Sequence, residues 1–430
     1  MYARIQVHKY KYIRLHRHKH ITDTHYAHTF AYIHIHTRVY THTLAPIYTG
    51  AHTYIGTLPL AALAAFTARF ARCIMCRFLI FKGKEPIRLS HLLTRPAHSI
   101  INQSFDSRLR LDTRRPMNGD GFGVAYYPTD AELDSDGPCL FKAITPAWNN
   151  QNLETLAEKT KSPLVFAHVR ASTYGVLSET NCHPFTYHSL CFMHNGGIAG
   201  FARIKRRLLA HIGDTYLNFV QGSTDSEFAF ALFLDTLEKL GEDPARASGG
   251  FSHATLRRAL VQTIGYIRDW TGSAVGENSG SGETSPAEPS LLNFAVTDGS
   301  TVVVSRYITS KHDEAASLHF SCGSRFVEAS PGEYRMERLD RNQDVIMVAS
   351  EPLTFERGDW TAVPTNSVLT IKRQTILLHP IVDEYYQQDP LYLRSPTLVE
   401  NKGFMGSVPV AKSVERNVPP LQRDGRLRQL

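Results

Sequence analysis

Acid is almost missing from the first 75 residues of this 430-residue chain: nine Lys/Arg stand there against one carboxylate, Asp23. The chain's formal charge of +7 comes from that stretch alone. The remainder carries 38 basic and 39 acidic residues, so the body is near neutral. That removes the case for a polyanionic partner such as nucleic acid. Cysteine is scarce as well. Cys73, Cys76, Cys139, Cys182, Cys191 and Cys322 are too few and too irregular for a disulfide framework, which points to a reducing compartment, the cytoplasm. Long apolar runs are lacking, since the longest, Leu58 to Phe66, is too short to span a bilayer. Zinc-type spacing is lacking too. Cys73 and Cys76 form a C-x-x-C with no second pair and no βαβ pattern around it. No metal and no cofactor are expected.

What is present divides at Met75-Cys76. Residues 1 to 54 hold ten of the 21 histidines and eight of the 19 tyrosines, in runs such as Tyr-Ile-His-Ile-His-Thr at 32 to 37. A His-rich tract can bind metal, and alternation of period two can mark a strand. Translated dinucleotide-repeat DNA gives the same residue pairs. The last reading fits best, because the stretch offers little aliphatic material for a core, six Ile, two Leu and two Val among its 54 residues. Residues 55 to 75 are acid-free and Ala/Arg-rich, the composition of a transit peptide. Residues 1 to 75 are thus expected to be a low-complexity extension absent from the mature protein.

From Cys76 the composition becomes that of an ordinary globular protein. The patterning predicts strands over 76–82, 121–127, 140–144, 163–169 and 189–194, with helices over 152–161, 204–212, 224–240 and 253–270. Ser90 to Ser99 is ambiguous, since Pro96 interrupts a near-helical spacing. Ser223-Thr224-Asp225-Ser226-Glu227 reads as an N-cap and capping box. Six short strands follow between Leu291 and Leu378. Residues 272–289 read as a disordered Gly/Ser/Glu loop and 387–430 as a disordered tail, leaving one domain over 76–386. Few alternations have a βαβ rhythm. Antiparallel sheets stacked face to face and covered by helices fit better.

Four polar clusters stand at strand ends or a helix start. They are Cys76 in Met-Cys-Arg-Phe, Arg170 in His-Val-Arg-Ala-Ser-Thr, Asn195-Gly196 in Met-His-Asn-Gly-Gly, and Asp225 in Ser-Thr-Asp-Ser-Glu. Singly each has a structural explanation: a buried thiol, an ion pair, a turn, a helix cap. In this order, with Asn181-Cys182-His183-Pro184-Phe185, they resemble the class II (N-terminal nucleophile) glutamine amidotransferases. Within that family the opening Met75 to Gly83, together with Asn118-Gly119-Asp120-Gly121-Phe122-Gly123, is similar to a fungal amidotransferase-like subunit of a glutathione-degrading complex.

The resemblance implies an α+β fold, the four-layer αββα sandwich of the Ntn hydrolases. It implies Cys76 as nucleophile, with its own free α-amine as base, and Asn195 and Gly196 as the oxyanion hole. Arg170 would bind the α-carboxylate of a γ-glutamyl substrate, Asp225 its ammonium, and Thr173 would help hold the glutamyl group. It further implies glutathione as substrate and a metallopeptidase-like partner subunit. Alternatives are a glutaminase passing ammonia to a separate synthase, or a non-catalytic scaffold subunit. Two positions depart from the family pattern: Ala171 where Trp is frequent, and Tyr174 where His is frequent. The chain shows no phosphate-binding glycine loop and no sugar-isomerase or phosphoribosyl signature, so no synthase domain is evident.

Overall fold

The computed structural model describes residues 12–16, 32–36, 76–105, 118–129, 137–171, 176–276, 288–339, 343–389 and 392–402. The chain divides into two units, Met1–Ala71 and Arg72–Leu430. In the first, β1 (Tyr12–His16) pairs antiparallel with β2 (Tyr32–His36), so the period-two alternation at 32–36 is a strand.

In the second unit the order is β3 (Arg77–Arg88), α1 (Ser90–Leu93), α2 (Ile100–Gln103), β4 (Phe122–Tyr126), β5 (Cys139–Ala143), α3 (Gln151–Lys159), β6 (Lys161–Val169), β7 (Phe185–Tyr187) and β8 (Leu190–Gly197). Four helices follow: α4 (Phe201–His211), α5 (Asp214–Phe219), α6 (Asp225–Lys239) and α7 (His253–Gly276). Then come β9 (Leu291–Thr297), β10 (Val302–Arg306), β11 (His319–Gly323), β12 (Arg325–Ser330), β13 (Glu333–Glu337), β14 (Val345–Ala349), β15 (Thr361–Ala362), β16 (Ser367–Lys372), β17 (Thr375–Pro380) and α8 (Thr397–Asn401). Two antiparallel sheets carry the fold. One has six strands in the order β17-β16-β10-β9-β8-β7, the other seven in the order β15-β11-β14-β3-β6-β4-β5. β12 and β13 form a separate hairpin.

Period-two side-chain alternation explains the layers. On β3, Phe78 and Ile80 face the space between the sheets, while Leu79 and Phe81 face α1, α2 and α3. On β8, Cys191 and Met193 join the inter-sheet core, while Leu190 and Phe192 face α4 to α7. Val302 and Val304 of β10 point inward and Val303 outward. Because both faces of both sheets are covered, the central strands read as continuous apolar runs. The result is the αββα sandwich expected from the resemblance.

Helix α6 is anchored as its sequence indicates. Thr224 Oγ1 accepts the Glu227 N–H at 3.4 Å. The Glu227 carboxylate reaches back to the N–H groups of Gln221 (3.0 Å) and Gly222 (2.6 Å). This is a capping box displaced by two or three residues from the usual acceptor pattern. From Ser226 to Thr236 the helix is buried all round, because the six-stranded sheet lies on one side and α4, α5 and α7 on the others.

Two boundaries differ from expectation. Helix α7 continues to Gly276, so the Gly/Ser-rich segment is helical at its start, and 277–287 lie outside the described residues. The tail is not unstructured from 387. Arg394 donates to the Asp313 and Tyr385 carbonyls, and Val399 is buried against Leu291, Ile308, Ala315 and Ala316. Residues 106–117, between α2 and β4, lie outside the described residues.

Phe230 stacks on Phe192 at 5.1 Å between ring centroids and joins α6 to the six-stranded sheet. Phe230→Ala is expected to lower the free energy of unfolding by about 3–5 kcal/mol. Urea denaturation followed by circular dichroism measures this, and a loss under about 1 kcal/mol would contradict such packing.

Candidate active site

Cys76 precedes the first residue of β3, so its position is set by how that strand end is held. The register pairs Arg77 with Val169 of β6, which puts Cys76 beside the residues just past β6. Its Sγ lies 3.5 Å from the Ala171 N–H nitrogen and 3.5 Å from the Ala171 carbonyl oxygen. On the other side, the segment after β14 clasps the strand. Phe78 N–H donates to Ser350 Oγ at 3.1 Å, and Ser350 N–H donates to the Phe78 carbonyl at 3.0 Å. Arg77 Nε and Glu351 Oε1 meet at 2.5 Å, with both side chains buried.

Burial pushes the Cys76 thiol above its ordinary pKa. The Ala171 N–H and the charges of Arg170 and Arg77 pull the other way, and the Asp225 carboxylate adds to the rise. The thiol is therefore held protonated at neutral pH. Attack by this sulfur requires a base.

Arg170 is buried and is fixed through its own backbone. Its N–H donates to Gly121 O at 2.8 Å, its carbonyl accepts from Asp120 N–H at 3.2 Å, and its Nη1 donates to Asp120 O at 3.4 Å. This needs the glycine turn. Gly121 has φ of +105°, and a Cβ there would lie 2.6 Å from Cys182 Sγ and 2.8 Å from Ala143 O. Beside Arg170, the buried rings of His168 and His183 pack 4.2 Å apart between centroids. Burial, with the Arg170 charge nearby, lowers His168 to about 3 and His183 well below its usual range, so both imidazoles are neutral.

Asn195 and Gly196 are still within β8, at its far end, rather than in a turn beyond it. The Asn195 amide is fully buried. One end lies 2.9 Å from Ser350 Oγ and the other has no hydrogen-bond partner. A Cβ on Gly196 would stand 1.9 Å from Leu291 O, so only glycine fits beside β9. His194 donates from Nε2 to Leu291 O at 2.9 Å, and its Nδ1 lies 2.9 Å from Ser226 Oγ. Asp225, the first residue of α6, accepts the Ile198 N–H on Oδ2 at 2.8 Å. That bond ties the start of α6 to the segment leaving Gly196-Gly197.

The structure thus gathers Cys76, Arg170, Asn195, Gly196 and Asp225, which are spread over 150 residues of sequence. Cys76 touches the residue after Arg170, Asp225 acts on it through its charge, and Ser350 connects Phe78 to Asn195. Thr173 and Tyr174 lie outside the described residues. Sequence reading missed Ser350, Glu351 and Ser226. Their only linear signal is that Ser350-Glu351 directly follow a predicted strand. Among the described residues, no group of three His, Cys, Asp or Glu side chains is arranged to hold a metal ion. None of the described helices is long and apolar enough to cross a membrane.

The family model described as glutamine amidotransferases class-II matches residues 89–267, which include Arg170, Asn195, Gly196 and Asp225 but not Cys76. The chain is 81% identical over 354 residues to the probable glutamine amidotransferase DUG3 of Saccharomyces cerevisiae, covering 82% of this chain and 98% of that protein. It is 28% identical over 123 residues to a gamma-glutamyl-hercynylcysteine sulfoxide hydrolase of Mycobacterium tuberculosis, covering 28% of this chain and 49% of that one. A solved glutamine aminotransferase class-II domain protein from Silicibacter pomeroyi aligns with a TM-score of 0.46 and 25% identity, over 72% of this chain and all of its own.

Removing one partner of a buried ion pair strands the other charge. Glu351→Ala is expected to destabilise the fold by about 3–5 kcal/mol. Calorimetry against wild type tests this, and an unchanged melting temperature would show that the pair does not hold the strand end.

Proposed function

The chain belongs to the class-II glutamine amidotransferases, and we propose that within that family it hydrolyses the γ-glutamyl bond of glutathione, releasing glutamate and Cys-Gly through a thioester on Cys76. The observation that carries the chemistry is the setting of the Cys76 sulfur. It lies 3.5 Å from the Ala171 amide, next in sequence to buried Arg170, and close enough to Asp225 for that carboxylate to raise the thiol.

Arg170 takes the substrate α-carboxylate as a planar fork, Asp225 takes the ammonium, and Thr173 helps hold the glutamyl group. The Cys76 thiol proton passes to the free α-amine of the same residue, whose unperturbed pKa is about 8. The sulfur then attacks the γ-carbonyl. The Asn195 amide and the Gly196 N–H receive the oxyanion, each donor contributing about 3 kcal/mol. Collapse breaks the C–N bond, and the amine's proton goes to the leaving Cys-Gly nitrogen. Water, deprotonated by the same amine, cleaves the thioester and regenerates the thiol. No metal or cofactor enters.

This proton path needs Cys76 at the amino terminus, because an amide nitrogen in its place is not basic. The mature enzyme on this reading lacks residues 1–75. The yeast relative supports this reading in length, since 354 residues of this chain cover 98% of it. Ala171 in place of a bulky Trp leaves room for a leaving group larger than ammonia. A mycobacterial relative is named a gamma-glutamyl-hercynylcysteine sulfoxide hydrolase. A metallopeptidase-like partner subunit is the proposed recipient of Cys-Gly. The five described cysteines are all free, consistent with a cytoplasmic enzyme.

Glutamate release from glutathione by the protein with its partner is the expected result. Robust release from glutamine with none from glutathione would favour ammonia delivery to a synthase instead. Cys76→Ala should abolish turnover and keep the fold; activity from neither substrate in the wild type would favour a scaffold subunit. The dependence of kcat/KM on pH should rise with unit slope as the α-amine deprotonates and level off above about pH 8. Asp225→Ala should mainly raise KM, because the ammonium contact exists in ground and transition states alike. Mass spectrometry of the protein from its own host should find Cys76 as the first residue.

A further inference from the structure

We infer that Ser350 is a positioning residue: its hydroxyl decides which face of the Asn195 amide is presented to the substrate. The inference rests on the oxyanion-hole role proposed above for Asn195.

In the structure Ser350 Oγ accepts both the Phe78 N–H at 3.1 Å and the Asn195 Nδ2–H at 2.9 Å. A serine hydroxyl has one hydrogen to give and two lone pairs to receive with. An asparagine amide has the same shape with its oxygen and nitrogen exchanged, so the hydrogen bonds determine its orientation. With Nδ2 towards Ser350, the hydroxyl oxygen receives two N–H groups. Its own hydrogen then points at neither, and Asn195 Oδ1 is buried with no partner. In the oxyanion-hole role proposed above, that end would meet the oxyanion with a carbonyl oxygen, which repels it.

With the amide turned over, the Ser350 O–H donates to Oδ1 while its lone pair still holds the Phe78 N–H. The Asn195 Nδ2 then takes the partnerless position, with its N–H groups unspent. This arrangement pairs the buried acceptor and supplies the donor that the reaction needs. The Phe78 N–H takes one lone pair of Ser350 and fixes the hydroxyl in place, while its hydrogen stays free to be donated to Asn195. The strand that carries Cys76 thereby orients the group proposed to stabilise the charge that Cys76 generates.

The test is a kinetic double-mutant cycle on the mature protein with its partner, reading kcat and KM for glutathione, or for glutamine if that is the substrate turned over. Ser350→Ala is expected to lower kcat on the order of ten- to a hundredfold with KM nearly unchanged, as for a contact made only in the transition state. Ser350→Thr, which keeps the hydroxyl, should recover most of kcat. In an Asn195→Ala background Ser350→Ala should have almost no further effect. An equal loss in both backgrounds overturns the Ser350 proposal and leaves the oxyanion role of Asn195 standing. Wild-type kcat in Asn195→Ala overturns that role and this proposal with it. If Ser350→Ala does not fold, Ser350→Cys carries the test: its weaker S–H donor should lower kcat, and wild-type kcat there also overturns the proposal.

Discussion

Arg77 and Glu351 are both buried, and guanidinium and carboxylate meet at 2.5 Å where β3 starts. Isolated charges at that depth are very costly, so each holds the other in place. The pair's value lies in what flanks it. On one side of Arg77 is Cys76; beside Glu351 is Ser350, whose backbone and hydroxyl both bond Phe78. A strand terminus normally frays. Here the first residues of β3 are fixed by an ion pair, two hydrogen bonds and the antiparallel ladders to β6 and β14. The nucleophile at a chain end proposed here would need that degree of restraint, since a misplacement of about 1 Å can cost about a hundredfold in rate.

The same restraint shapes the proton economy. Burial holds the thiol protonated, so the sulfur is quiet until a base takes its proton. The buried imidazoles beside Arg170 do not offer one: His168 Nε2 lies 3.3 Å from the His194 carbonyl and His183 packs against its ring, whereas the α-nitrogen of Cys76 is carried by the same residue. In the proposed mechanism, the nucleophile and base are therefore positioned by one set of contacts. Sequence before Cys76 is a chemical matter, because it converts that base into an amide.

Much of this was legible in the linear chain because the strands that matter are buried on both faces. Apolar runs such as Phe78 to Phe81 and Val165 to Ala167 can hardly be anything else, and the Thr224 cap fixes the start of α6. The separate hairpin β12–β13 went unread because β12 is largely exposed and alternates weakly, and because β13, although Tyr334 and Met336 alternate with charged residues, is only five residues long. The tail read as disordered from its Pro and Arg content, yet Val399 is buried and Arg394 bonds backbone carbonyls; one adjacent aliphatic pair, Leu398-Val399, in a polar segment gives no periodic signal. Ser350 could not be found in sequence at all. It meets Asn195 across 155 residues, and a serine after a strand is ordinary until its partners are known.

Hydrogen-bond direction carries through the remainder of the site. The Leu291 carbonyl can only accept, so His194 must bear its proton on Nε2. His194 Nδ1 is then an acceptor, and the Ser226 hydroxyl at 2.9 Å is its donor. Ser226 Oγ is also within donating distance of Asp225 Oδ1 at 3.2 Å, so the two acceptors compete for its one hydrogen, and with His194 neutral the shorter contact, to Nδ1, has the better claim. Asp225 thus keeps Oδ2 on the Ile198 N–H and retains lone pairs on Oδ1 for a cation. Were His194 protonated on both nitrogens, Ser226 would turn its hydrogen to Asp225 and compete with the substrate ammonium. Burial, the largest influence on His194, lowers its pKa and keeps it neutral. A buried histidine that touches no substrate in this arrangement nonetheless sets the acceptor capacity of the carboxylate proposed to bind one.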